Sequence, residues 1–207
     1  MKKFIGLMTA TILLAGCSLS TPVQSQNPAK KNDLVQINPN HLKKVGEDGK
    51  YELETKVPQS DLQLSSPDFQ NGEEIPAKFT CDGEKSFPTL QVSGIPAKTK
   101  SLLLIVSEPQ QNEMPKKVHG TFWGIPADTT EINNENFAGF SQGVNDFSTK
   151  TYSAPCPKEG TDEKYLFEIW ALDKEIKGTS DWTAGHLLVN SLGHILGKSV
   201  LETHYSR

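Results

Sequence analysis

The sequence predicts an all-β-dominated fold: a two-sheet antiparallel β-sandwich with one helix near the C-terminal end. Three observations point there. The apolar segments are short, most of them alternate with polar residues, and they are separated by turn formers. The 16 glycines and 13 prolines are scattered rather than periodic, as in a fold with many turns. Only one stretch, after Asp181, has helical character, and no internal repeat interrupts the series of strand-like segments.

Taken in order, residues 1–16 read as a removable signal. Lys2 and Lys3 form a positive start, Phe4 to Leu14 an apolar run too short to span a membrane, and Leu14-Ala15-Gly16-Cys17 a small-residue close. The stretch resembles a bacterial lipoprotein signal, which implies cleavage before Cys17 and acylation of that cysteine. Several acyl chains on one residue give stable anchoring, where a single chain binds only marginally. Ser18, in place of Asp, points toward the outer membrane, with the domain facing the periplasm. Residues 17–59 are poor in large apolar side chains and rich in Ser, Gln, Asn, Lys and Pro, the composition of a tether. As a flexible coil, about 42 residues span on the order of 35 Å. Within the tether, Lys50 to Val57 alternates well enough to serve instead as a hairpin arm.

The folded domain is expected over residues 60–207. Asp61 to Leu64 is a short strand and Ser65-Ser66-Pro67-Asp68 a turn. Ile75 to Thr80 alternates like a strand before the Cys81-Asp82-Gly83 turn, and Pro88 to Val92 is another strand. Leu102 to Val106 is an unbroken apolar run of β-forming residues, expected to be buried on both faces and stopped by Ser107-Glu108-Pro109. A second central strand starts near Val118 and ends at Gly124-Ile125-Pro126. Residues 137–153 read as loop, Ala154-Pro155-Cys156-Pro157 as a rigid turn, and Tyr165 to Leu172 as a strand with Phe167, Ile169 and Ala171 on one face. Asp181 is expected to cap a helix from Trp182 to about Leu192, and Lys198 to His204 to close the chain as a strand.

Two chemical features stand out. Glu108 sits at the end of one central strand and His119 near the start of the next, so neighbouring strands would bring a carboxylate and an imidazole to one cleft. Once Cys17 is lipidated, Cys81 and Cys156 remain, either as a disulfide suited to an oxidising compartment or as two reduced thiols. The net charge of −4 and pI near 5.8 give no footprint for nucleic acid. No Gly-x-Ser-x-Gly elbow, Walker loop, His-Glu-x-x-His or Cys-x-x-Cys is present, and His41, His186, His194 and His204 lack ligand spacing.

The blocks LSSPDFQNGEEIPAKFTCDG (64–83), PTLQVSGIPAKTKSLLLIV (88–106), VHGTFWGIPA (118–127), APCP (154–157), YLFEIWALD (165–173) and HYSR (204–207) resemble the phosphatidylethanolamine-binding protein family, in its bacterial Raf-kinase-inhibitor-like branch. The resemblance implies a sandwich with a small pocket at one end that takes phosphate or a phosphoethanolamine headgroup. It also implies action by binding, as inhibitor or regulator, with no catalytic residue and no cofactor. Carried over, the pocket comprises Glu108, His119, Tyr165, Pro155, Pro157 and Glu163. The family's Asp-Pro-Asp-x-Pro loop reads Glu108-Pro109-Gln110-Gln111-Asn112 here, the aromatic before its Ser-Gly turn is Val92, and its His-Arg-Tyr triplet is Glu163-Lys164-Tyr165. Glu163 adds a carboxylate that repels phosphate, which Lys164 offsets only if it points into the cleft.

The leading expectation is therefore a lipid-anchored binding module for a small anionic or headgroup ligand, using Glu108, His119 and Tyr165. The alternative is a protein-interaction or protease-inhibitor module with a decayed pocket. A metal-dependent hydrolase built on Glu108, His119 and Glu163 is a third, smaller one.

Overall fold

A computed structural model of the chain describes residues 42–45, 50–53, 57–109 and 117–207. The signal segment, Cys17, much of the tether and the Gln110–Asn112 stretch lie outside the described residues. Among the described residues, ten strands and one α-helix come in the order β1 Leu42–Val45, β2 Lys50–Leu53, β3 Gln63–Ser65, β4 Leu90–Ser93, β5 Ser101–Glu108, β6 Lys117–Pro126, β7 Glu131–Ile132, β8 Ser141–Gln142, β9 Asp162–Leu172, α1 Ala184–Ser191 and β10 Ile195–Ser206. Strands β1 and β2 pair with each other, so the hairpin-arm reading of Lys50 onward describes that segment. The remaining strands form a five-stranded sheet, β10-β9-β5-β6-β8, and a three-stranded sheet, β3-β4-β7, with every pairing antiparallel.

Strand β5 shows why its sequence is an unbroken apolar run. Alternate side chains leave a strand on opposite faces. Leu102, Leu104 and Val106 point into the core between the two sheets, with Phe122, Phe167, Ile169 and, from the facing sheet, Leu64, Leu90 and Ile132. Leu103 and Ile105 enter a second core on the outer face with Trp123, Trp170 and Leu172, covered by Ile176, Ala184 and Leu187. Every residue of β5 is buried. The outer core also takes Val57, so the folded part reaches back past residue 60.

Two segments differ from expectation. Ile75 to Thr80 is not a strand: Glu74 bridges His204 and a short 3-10 turn covers Ala77–Phe79. Pro76 has no N–H to give a ladder, and Thr80 N–H bonds back to Ala77 O at 3.0 Å. Helix α1 begins two residues later than expected, with Thr183 rather than Asp181 as N-cap. Thr183 N–H donates to His186 Nδ1 at 3.3 Å, and Leu187 N–H reaches Thr183 O, which satisfies both sides of the helix entry.

Two irregularities interrupt the β5–β6 ladder. At one, Gly124 takes φ +67°, a left-handed conformation open to glycine. At the other, Val106 pairs with Gly120 and Ser107 with Val118, leaving His119 as the extra residue of a β-bulge.

Candidate ligand-binding site

The bulge at His119 re-aims its side chain, as bulges do when they place two residues opposite one. Its ring meets Glu108 at the end of β5, with Nε2 3.2 Å from Oε1. On the other side Nδ1 lies 2.7 Å from Ser153 O. His119 is 1% exposed and Glu108 8%, so the pair is held away from bulk water. Elementary valence then restricts its protons. A carbonyl oxygen only accepts, so Nδ1 carries a hydrogen. A proton must also lie between Nε2 and Oε1, giving either imidazolium with carboxylate or imidazole with carboxylic acid. Without that proton a lone pair would face a carboxylate in a buried space.

Tyr165, near the start of β9, packs edge-on against the His119 ring at 5.2 Å and is fully buried. Burial, reinforced by the charges of Glu108 and Glu163, pushes its phenol well above the usual range, so it stays neutral. Tyr152 is raised in the same sense, by burial first and Tyr165 second. The site therefore has an uncharged phenolic floor with two carboxylates near it. Lys164 does not offset them. It is exposed and ion-paired with Glu202 on β10, on the opposite side of the strand from Tyr165.

Pro155 and Pro157 are buried on either side of an exposed Cys156. The disulfide Cys81–Cys156 forms, with Cα atoms 5.2 Å apart, and Cys81 N–H donates to Pro155 O at 2.9 Å. Close by, Asp82 accepts from Tyr205 Oη and from Arg207 Nε, each at 3.0 Å. The CDG, APCP and HYSR blocks, far apart in sequence, thus meet at one end of the sandwich. Val92 stays in the core.

Four residues that sequence reasoning missed, Asn145, Asp146, Phe147 and Lys117, complete the arrangement. Asn145, 4% exposed, organises the loop after β8 through six hydrogen-bond partner atoms, which share its two amide hydrogens and its oxygen. Its amide donates to His119 O, Thr151 O and Ser153 Oγ, and its oxygen accepts from Phe147 N, Thr149 N and Thr149 Oγ1. Asp146 adds a 2.7 Å bond from Val118 N–H. This loop sets Phe147 edge-on to the His119 ring at 4.9 Å, and the Lys117 ammonium lies over the Phe147 ring at 4.8 Å. Within the sequence, Asn145 and Asp146 read only as turn formers; nothing local tells a turn residue from a hub.

The other histidines among the described residues cap or pair elsewhere: His186 at the helix entry, His194 with Asp173 at 2.7 Å and His204 with Asp162 at 2.9 Å. Among the described residues, no three His, Cys, Asp or Glu side chains converge as a metal centre requires, so Glu108, His119 and Glu163 do not form one. An open groove of about 440 Å³ lies near the start of β5, at the far end from His119, lined by residues including Ser60, Ile95 and Leu196. Among the described residues no helix is long and apolar enough to cross a membrane.

The family model for phosphatidylethanolamine-binding proteins matches residues 65–206. A UPF0098 protein of Methanothermobacter thermautotrophicus is 34% identical over 155 residues, 70% of this chain and 99% of the relative. One of Chlamydia pneumoniae is 31% identical over 155 residues, again 70% and 99%. Among solved structures, a phosphatidylethanolamine-binding protein homologue of Chlamydia trachomatis superposes with a TM-score of 0.65 at 28% identity, covering 72% of this chain and 99% of that one. Escherichia coli YbcL, with a TM-score of 0.64 at 24% identity and the same coverage, shares the fold.

Proposed function

The chain belongs to the phosphatidylethanolamine-binding protein family, and on that premise we propose that it is a lipid-anchored envelope protein whose sandwich binds a small anionic or phospholipid-headgroup ligand at His119, without converting it. The observation that carries this reading is the buried His119–Glu108 pair at 3.2 Å, held by the Ser153 carbonyl and Tyr165 at the end of the sandwich. Both ring nitrogens are engaged, one by a carbonyl and one by a carboxylate. That suits a fixed recognition group better than a base that must take a proton from substrate. The pair as a whole is neutral, a fixed dipole rather than a free cation at the site. Glu163 offers negative charge beside it, so a ligand carrying both signs fits better than bare phosphate.

The anchor is inferred from Leu14-Ala15-Gly16-Cys17 and the tether behind it. A disulfide joining Cys81 to Cys156 agrees with an oxidising compartment such as the periplasm. Replacing Cys17 by serine should shift the protein from the membrane to the soluble fraction on cell fractionation; unchanged partition would defeat the anchor.

Binding is tested by titrating the full-length chain, in a non-ionic detergent, with O-phosphoethanolamine and with inorganic phosphate, followed by NMR beside His119→Ala. Saturable shifts at His119 and Tyr165 that vanish in the variant are expected. No saturable shift at millimolar ligand would remove the headgroup reading and leave the protein-interaction module as the surviving one.

A further inference from the structure

Cys156 of the disulfide stands three residues along the chain from Ser153, whose carbonyl accepts from His119 Nδ1 at 2.7 Å. The N–H and hydroxyl of Ser153 are held from the other side, by His119 O at 2.8 Å and the Asn145 amide at 2.9 Å. Its carbonyl is not held there. It lies in the rigid peptide plane shared with Ala154, so it turns with the residues that follow. Those residues are weakly tied. Pro155 and Pro157 have no N–H to give. Among the described residues, one backbone hydrogen bond joins residues 154–157 to another segment, from Cys81 N–H to Pro155 O at 2.9 Å. That bond and the disulfide both run to Cys81. Cys156 also adjoins the phenol of Tyr165: burial and the charges of Glu108 and Glu163 raise it, and against them the Cys156 backbone lowers it. The bridge is open to attack as well. Cys156 is exposed and Cys81 half-buried, and Arg207 Nη1 lies 3.8 Å from Cys156 Sγ while its Nε donates to Asp82. A cation beside a sulfur attracts an incoming thiolate and stabilises a departing one.

Resting on the binding reading above for what the site does, we propose that the Cys81–Cys156 bridge is a thiol-exchange site whose opening by a dithiol reductant releases the His119–Glu108 pair. One thiolate of the dithiol attacks Cys156 Sγ. The S–S bond breaks, and Cys81 leaves as a thiolate that takes a proton from solvent. The second thiolate of the reductant attacks its own sulfur in the mixed disulfide and expels Cys156 as a thiolate beside Arg207. The reductant ends as a disulfide and the protein as two thiols, a two-electron exchange. With the bridge open, residues 154–157 keep the Pro155 bond alone. The Ser153 carbonyl then turns away from His119, and Nδ1–H loses its fixed acceptor. The ring is no longer confined to one tautomer, so the proton between Nε2 and Glu108 loses its fixed place too. A closed bridge orders the recognition pair and an open one loosens it.

The test uses the full-length chain in non-ionic detergent, without denaturant, before and after dithiothreitol. Alkylation and mass measurement report the bridge, and NMR of the histidine ring nitrogens reports the pair. Dithiothreitol should add two alkyl groups while the amide spectrum of β5 and β9 stays dispersed. The His119 Nδ1–H signal should then exchange with solvent at least about tenfold faster than in the oxidised protein. Cys81→Ser with Cys156→Ser should show the open pattern with and without dithiothreitol. Labels that appear only in denaturant would overturn the exchange site. An unchanged His119 ring in a folded, doubly labelled protein would overturn the hold on the pair. Unfolding of the whole chain on reduction would make the bridge a staple and overturn the proposal as well. Titration with O-phosphoethanolamine in both states should show binding about tenfold weaker with the bridge open, and equal affinities would overturn the regulation. The ring signals are read without ligand, so if neither state binds, the binding reading falls while the hold of the bridge on His119 is still decided.

Discussion

Asn145→Ala is the sharpest test of how the site is held. The side chain it removes lies within hydrogen-bond distance of six partner atoms from a position 4% exposed. The amide has two hydrogens and its oxygen two lone pairs, so the six contacts amount to about four full bonds, and at a net contribution of about 1 kcal/mol each the ceiling is roughly 4 kcal/mol. Four of the six partner atoms belong to Phe147, Thr149 and Thr151, which are exposed residues that water reaches once the turn opens. His119 O also keeps its 2.8 Å bond from Ser153 N–H. About half the ceiling should survive as destabilisation, on the order of 2 kcal/mol. For a chain of this size that lowers the melting temperature by about 4–8 °C. Thermal unfolding by circular dichroism gives the number, and amide exchange at Ser148 and Thr149 shows whether the turn opens. Asn145→Asp controls for shape. It retains the accepting oxygen but sets a carboxylate against His119 O and Thr151 O, and should be at least as destabilising at neutral pH. A melting temperature within 1–2 °C of wild type, a difference of about half a kcal/mol, would refute the hub.

Three other perturbations have definite expected outcomes. The Cys81–Cys156 bridge spans 75 residues, so chain entropy puts its contribution at about 4–5 kcal/mol, and Cys81→Ser with Cys156→Ser, or reductant on wild type, should lower the melting temperature clearly; coincident melts would deny the bridge. Leu104→Ala, at a fully buried position of the inter-sheet core, should cost about 2–5 kcal/mol in denaturant unfolding, and a loss under 1 kcal/mol would contradict the packing described. The His204 hydrogen bond, helped by Ser206, holds the Asp162 carboxyl below the usual range. Its stabilising contribution is therefore present above the ordinary carboxylate pKa and lost as pH falls through the lowered value. His204→Ala should move the Asp162 titration upward by carboxyl-carbon NMR, and an unmoved midpoint would exclude the pairing.

How legible this protein was depends on the range of the interaction in question. Strands β5, β6 and β9 were readable because burial on one or both faces leaves its mark on every residue of a strand. Ile75 to Thr80 misled because alternation alone cannot register that Pro76 withholds an N–H and that His204 supplies the only bridge. The helix start was displaced because Asp181 and Thr183 are both acceptable caps, and packing of Ala184 and Leu187 on the outer core decided between them. Of the site, Glu108, His119 and Tyr165 were foreseen from motif and strand order, and the structure brings them together. Lys164 was left conditional, and strand alternation turns it outward. Asn145, Phe147 and Lys117 were not foreseen, because each acquires its meaning from a partner on another element.

Local sequence thus set the fold class, the order of the strands and the carboxylate and imidazole that end two of them, since periodicity and chain-stopping residues are local and additive. Tertiary structure alone decided the rest: a bulge that turns His119 onto Glu108, a disulfide that draws residues 81 and 156 together, and a loop that fixes Phe147 beside the pair. Each depends on register or closure between distant segments. A shift of one residue there changes which side chains meet while leaving every local pattern the same.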